Sequence, residues 1–196
     1  MSKRNTREKI VEIADELFYR RGYEHTSFAD IAEVVNISRG NFYYHFKTKD
    51  DILDAVIKAR LAKTQNLLDQ WQRDGVQPIY RIRSFIEILI TNKTDIMENG
   101  CPVGTLCAEL AKLDHASLEN ASELFNLFRD WLRKQFTDLG RADDANGLAM
   151  HLLMRSQGVA SLANAFHDED FIRNEVSLMH DWLEKQCASP ALASNA

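Results

Sequence analysis

Residues 37–53 read ISRGNFYYHFKTKDDIL, from Ile37 to Leu53. Phe42, Tyr43, Tyr44, His45 and Phe46 stand together among Arg39, Lys47 and Lys49. A core would hide the rings and shed the charges, whereas a plain solvated surface has no use for the rings. Phe42 and Phe46 are four residues apart, one helical face, with Ile37 at its edge. They can anchor a short helix over about Arg39 to His45. Arg39, Asn41, Tyr43 and Tyr44 then fall on its other faces, and Gly40 leaves the backbone open to close approach. Thr48-Lys49-Asp50-Asp51 has the form of a capping box, with Asp where Glu is usual, and opens a long helix to about Arg73.

Working outward, TREKIVEIADELFYRRG places Ile10, Ile13, Ala14, Leu17 and Phe18 on one face. Thr6 is the expected N-cap and Gly22 the stop. FADIAEVV forms a second short helix, capped by Thr26 or Ser27, and NIS is a tight turn. Three helices in about 45 residues, the last two short and closely joined, describe a helix-turn-helix unit.

In such a unit the second short helix enters the DNA major groove and the first braces it. Arg39 suits phosphate or guanine edges, and Asn41 a base. Tyrosine hydroxyls donate to phosphate oxygens. Lys49 can hold phosphate with its helix N-terminus, and Thr26 and Ser27 offer hydroxyls at the bracing helix. On composition alone a second reading stands beside this one: Tyr43, Tyr44 and His45 are half-buried packing residues of a small helical domain.

The 196 residues are 45% hydrophobic and 27% charged, ordinary for a chain with a core. With three prolines and eight glycines, helical periodicity dominates and an all-α fold of about nine helices is expected. The net charge of −5 is unevenly spread. Through Lys63 there are 12 basic against 10 acidic residues, net +2; the remainder has 12 against 19, net −7. A polyanion is therefore met by the N-terminal part. No apolar run approaches the roughly 18 residues of a membrane helix, no secretory signal is read, and three cysteines (Cys101, Cys107, Cys187) point to a reducing cytoplasm.

Residues 6–60 resemble the N-terminal domain of the TetR/AcrR family of bacterial transcriptional regulators. The likeness lies in A-x-x-L-F-x-x-x-G-Y (Ala14 to Tyr23), T-S-F-A-D-I-A (Thr26 to Ala32) and the opening stretch. It implies a cytoplasmic homodimer on a palindromic double-stranded DNA operator, usually a repressor released by a small-molecule inducer. The DNA-contacting positions it implies are Thr26, Ser27, Ser38, Arg39, Gly40, Asn41, Tyr43, Tyr44, His45 and Lys49. Lys3-Arg4 reads either as a flexible arm to DNA or as a solvated tail. Residues 1–47 would be the DNA-binding domain, 48–187 the ligand-binding and dimerisation domain, and 188–196 a flexible tail.

Later helices are expected over Pro78 to Met97, Val103 to Leu113, Ser117 to Leu139, Asp143 to Phe166 and Asp168 to Gln186. Leu148, Leu152, Arg155, Val159, Leu162 and Phe166 recur at coiled-coil-like spacings, and Ile172, Val176, Met179 and Leu183 give the last helix an apolar stripe. These faces serve either intramolecular packing or, as the resemblance implies, a four-helix dimer interface. Ligand-pocket candidates are Trp71, Phe85, Leu89, Cys101, Cys107, Phe125, Phe128, Trp131, Met150, His151, Met154 and Arg155, suited to an apolar or aromatic compound.

NGCPVGTLCAEL puts Cys101 at a helix start, where a thiolate is favoured. Cys101 is either a sensor of oxidants or electrophiles or a small residue at a tight turn. No catalytic motif, cofactor or metal site is read, so an enzyme is not expected. The remaining rival is a ligand-sensing protein acting through protein partners.

Overall fold

The computed structural model describes residues 5–188, in ten helical segments: α1 Thr6–Arg21, α2 Phe28–Val35, α3 Arg39–His45, α4 Lys49–Asp74, α5 Pro78–Thr91, α6 Lys93–Asn99, α7 Pro102–Lys112, α8 Leu118–Asp138, α9 Ala145–Phe166 and α10 Glu169–Ala188. No strand occurs among the described residues, and the all-α expectation holds. The expected tail and the Lys3-Arg4 arm lie outside the described residues. The single helix expected over Pro78 to Met97 is broken at Asn92 (φ −106°, ψ 17°), giving α5 and α6. None of these helices is long and apolar enough to cross a membrane.

The chain divides into two compact units. The first comprises the chain through Lys63 with Pro102–Leu124, and the second Thr64–Cys101 with the chain from Phe125 onward. The first unit thus extends past the expected boundary at residue 47. The reason is burial: Ile52, Leu53, Val56 and Ile57 of α4 and Leu106 and Leu110 of α7 share one apolar core with Ile10, Ala14, Phe18, Ile31, Val35, Phe42 and Phe46.

Asn5, one residue before the expected Thr6, caps α1; its side chain accepts from the first-turn amides while Glu8 returns to the Asn5 amide. The last turn ends at Gly22 (φ 88°), whose amide donates to the Phe18 carbonyl. Asn36, left-handed at φ 60°, closes α2, and the Lys9 ammonium donates to the Val35 carbonyl there at 3.1 Å.

The second unit buries Ile82, Phe85, Ile86 and Leu89 of α5, Leu132 and Phe136 of α8, Ala149, Leu152, Val159 and Ala163 of α9, and Ile172, Val176, Met179 and Leu183 of α10 in another core. Gln135, fully buried, is satisfied by Arg81 (3.3 Å) and Gln72 (3.1 Å).

Candidate nucleic-acid interface

The α2–α3 pair is built by caps at both N-termini. Ser27 caps α2, its hydroxyl oxygen accepting from the Asp30 amide, while Asp30 accepts from the Ser27 amide at 2.7 Å. The Ser27 hydroxyl also donates to the Asp30 carboxylate at 2.5 Å, and this bond with that from the Ser27 amide holds the Asp30 carboxyl below the usual carboxylate range. Ser38 caps α3 through the Asn41 amide (3.3 Å). The capping box read at Thr48 is present: Asp51 accepts from the Thr48 amide (2.9 Å) and Thr48 from the Asp51 amide (3.0 Å). Bonds from Thr48, then from the Lys47 amide, keep the Asp51 carboxyl low as well.

Beneath α3, Phe42 and Phe46 are 1% and 2% exposed. Phe28 of α2 meets Phe42 edge-on at 5.1 Å and lies stacked under Tyr43 at 5.6 Å. Tyr43 is therefore half-exposed and braced, while Tyr44 stands 77% exposed. Ser27, Ser38, Gly40 and Asn41 are also exposed. Among the described residues, a Cβ placed on Gly40 would meet nothing within 4 Å beyond its chain neighbours and its own helix backbone. The backbone of Arg39 opens α3; its side chain lies outside the described residues. His45 is half-buried, edge-on to the Tyr44 ring at 5.2 Å. Tyr43 is the ring backed by Phe28, and Ser38, Gly40, Asn41 and Tyr44 are exposed on the same short helix and its cap.

Two of the expected contacts are placed differently. Thr26 is fully buried and its hydroxyl donates to the Gly22 carbonyl at 2.8 Å, so it holds the turn after α1 and offers no hydroxyl at the surface. Lys49 is half-buried, its ammonium on the carbonyls of Tyr23 (3.1 Å) and Glu24 (3.3 Å) and 4.2 Å above the Tyr23 ring. Its first duty is to this turn. Sequence reading also misses Tyr23, buried, with its hydroxyl on Asp50 at 2.5 Å. Burial, then that bond and charge, raises the Tyr23 phenol well above its ordinary range.

Residues 10–56 match the family model described as bacterial regulatory proteins, tetR family. An uncharacterised HTH-type transcriptional regulator in the lacX 3' region of Lactococcus lactis subsp. lactis is 27% identical over 186 residues, 93% of this chain and 95% of that protein. Residues 10–56 belong to the TetR family of bacterial regulatory proteins. The chain is a DNA-binding transcriptional regulator. The HTH-type transcriptional repressor DhaR of a Mycobacterium species is 25% identical over 134 residues, 68% of this chain and 65% of DhaR. A TetR transcriptional regulator from Legionella pneumophila has the same fold, with a TM-score of 0.81 at 24% identity over 94% of this chain and 98% of that one.

In the second unit the residues of the expected dimer seam divide by burial, with Leu162 and Phe166 exposed. Leu152, Val159, Ile172, Val176, Met179 and Leu183 lie in the unit's own core, unavailable to a partner. Leu148 packs against that core, and Arg155 is paired with Glu175 at 2.9 Å. The large exposed apolar residues of α9 are Met150, Met154, Leu162 and Phe166, four or eight apart with exposed Gly158 between, and Leu178 stands exposed on α10. Met150 and Met154 are therefore surface residues, not pocket walls.

Of the other pocket candidates, Phe85 and Leu89 are buried, and Trp71, Cys101, Phe125, Phe128 and Trp131 pack against the same core. Trp71 and Trp131 lie 5.6 Å apart, as do Phe85 and Phe128. His151 stacks on Trp182 at 4.6 Å. Cys107 packs instead against the first unit's core, which corrects its place among the pocket residues.

Proposed function

We propose that the protein is a dimeric repressor that reads a palindromic operator with α3 and leaves it when a small apolar or aromatic compound binds the second unit. The observation that carries this is the α3 face. Buried Phe42 and Phe46 hold Ser38, Gly40, Asn41, Tyr43 and Tyr44 outward beside a capped α2. Arg39 and His45 belong to the same proposed contact set. Repression is supported by the name of DhaR. The first unit would do the reading, with the cytoplasm as the site of action, and the second the sensing and pairing.

Asn41 is the base-reading residue of this proposal. Asn41→Ala should reduce the preference for operator over scrambled duplex by about tenfold, within the roughly 1–3 kcal/mol of a good base contact. Non-specific affinity should hold. Unchanged discrimination in a titration of both duplexes would remove α3 from sequence reading.

A second copy would cover the α9 stripe. A single reading unit addresses one half-site, so a palindrome calls for two. Met150, Met154, Leu162 and Phe166 of α9 and Leu178 of α10 are large apolar residues left exposed, and small Gly158 would let a facing helix approach closely. Phe166→Glu should weaken self-association at least about tenfold by burying an unpaired charge. Analytical ultracentrifugation showing an unaltered dimer would move the interface elsewhere.

The inducer would lie against Trp71, Phe85, Leu89, Phe125, Phe128 and Trp131, whose paired rings suit a flat apolar compound.

A further inference from the structure

The turn between α1 and α2 is gripped from two sides. The Glu109 carboxylate, on α7, accepts from the amides of Tyr23 (2.9 Å) and Glu24 (2.8 Å). The Lys49 ammonium, on α4, donates to the carbonyls of the same two residues. Two consecutive residues thus have their N–H groups on an anion and their C=O groups on a cation, both remote in sequence. These are charge-assisted bonds, about twice as strong as neutral ones.

The chain around this clasp is shaped to accept it. A Cβ on Gly22 would stand 3.0 Å and 3.2 Å from the two Glu109 oxygens, and Gly22 sits at φ +88°. Any other residue there would be strained and would push the carboxylate away. Thr26 closes the turn on the Gly22 carbonyl, and Ser27, three residues before Asp30, caps α2 immediately after. The direction in which α2 leaves the turn is therefore set by groups that Glu109 and Lys49 hold. α2 in turn supports Phe42 and Tyr43 of α3 through Phe28. α7 is fixed at its own start as well, where the Arg60 guanidinium donates to the Pro102 carbonyl at 2.5 Å.

We infer that Glu109 is a positioning residue for DNA reading, acting with Lys49 to hold the α1–α2 turn and so aim α2 and α3. This rests on the proposed role of α3. Glu109 touches no nucleic acid in this account. On charge alone its removal makes the unit less negative and favours DNA. Positioning predicts the opposite sign, which separates the two effects.

The test uses the full chain as wild type, Glu109→Gln and Glu109→Ala, with a duplex that the wild type selects from a random-sequence library. Glu109→Ala should weaken that duplex about tenfold and Glu109→Gln, which keeps one acceptor, about threefold. The slope of log affinity against log salt should stay constant, because no phosphate contact is lost. Hydrogen exchange at the Tyr23 and Glu24 amides should accelerate at least about tenfold in Glu109→Ala, with the α4 amides unchanged. Equal or tighter DNA binding in both variants would overturn the inference, as would unaltered exchange at the two amides. Failure of the wild type to select any duplex would overturn the DNA reading beneath it, a result distinct from normal selection followed by unaffected variants.

Discussion

Phe42→Ala is expected to lower the unfolding free energy by about 3–5 kcal/mol. The ring is 1% exposed and sits where α2, α3 and the first unit's core meet. Its removal takes away the edge-on contact with Phe28 and leaves a cavity that a seven-residue helix is poorly able to fill. A domain holds only about 5–15 kcal/mol in total, so this one truncation consumes a large share. The damage should be local first. Phe28 also supports Tyr43, so α3 should lose its fixed exposed face before α1 and α4 melt. Denaturant unfolding followed by far-ultraviolet circular dichroism gives the first quantity, and anisotropy with operator duplex gives the second. Phe42→Leu, which keeps much of the volume, should cost less than about 1.5 kcal/mol. A loss below about 1 kcal/mol for Phe42→Ala would show that α3 is held by something other than its buried rings.

Asp15→Ala should be nearly as costly for a different reason. The Arg60 guanidinium is 8% exposed, donating to Asp15 at 2.6 Å and to the Pro102 carbonyl. Removing the carboxylate strands a buried cation with one neutral acceptor. Breaking a fully buried pair costs about 3–5 kcal/mol, but Asp15 keeps a third of its exposure, so about 2–3 kcal/mol is expected here. Replacing both partners with apolar residues, Asp15→Leu with Arg60→Met, should recover most of that loss, because no charge is then left unpaired. Urea unfolding of the single and double variants distinguishes the cases. An additive double variant would mean that the two side chains act independently.

What the sequence discloses is what neighbouring residues decide. Phe42 and Phe46 announce α3 because their spacing and its caps all lie within ten residues, and the helix runs from Arg39 to His45 as expected. The Thr48 box is local for the same reason. The break at Asn92 carries no proline or glycine and so leaves no local mark. Thr26 is ambiguous by chemistry: the same hydroxyl can meet a phosphate or a carbonyl, and only the path of the Gly22 turn settles which. Lys49 and Glu109 are chosen by contacts 26 and 86 residues distant, beyond any pattern of spacing. In α9 the error is instructive. The helix is apolar on two faces, and spacing identifies a face without saying whether its cover comes from the same chain. Leu152 and Val159 belong to the covered one, Leu162 and Phe166 to the other.

The empty space around Gly40 has an evolutionary meaning. Among the described residues, nothing beyond its chain neighbours and its own helix backbone stands within 4 Å of a Cβ there, and no positive φ holds the residue to glycine. Side chains of many sizes can enter this position without disturbing the core below. Alanine would even favour the short helix, by roughly 0.5–1 kcal/mol. Under the reading of α3 proposed above, its outer face is free to drift toward new target sequences while Phe42 and Phe46 stay as they are. A lineage with such a reading helix could then change its target in single mutational steps, with little risk to folding.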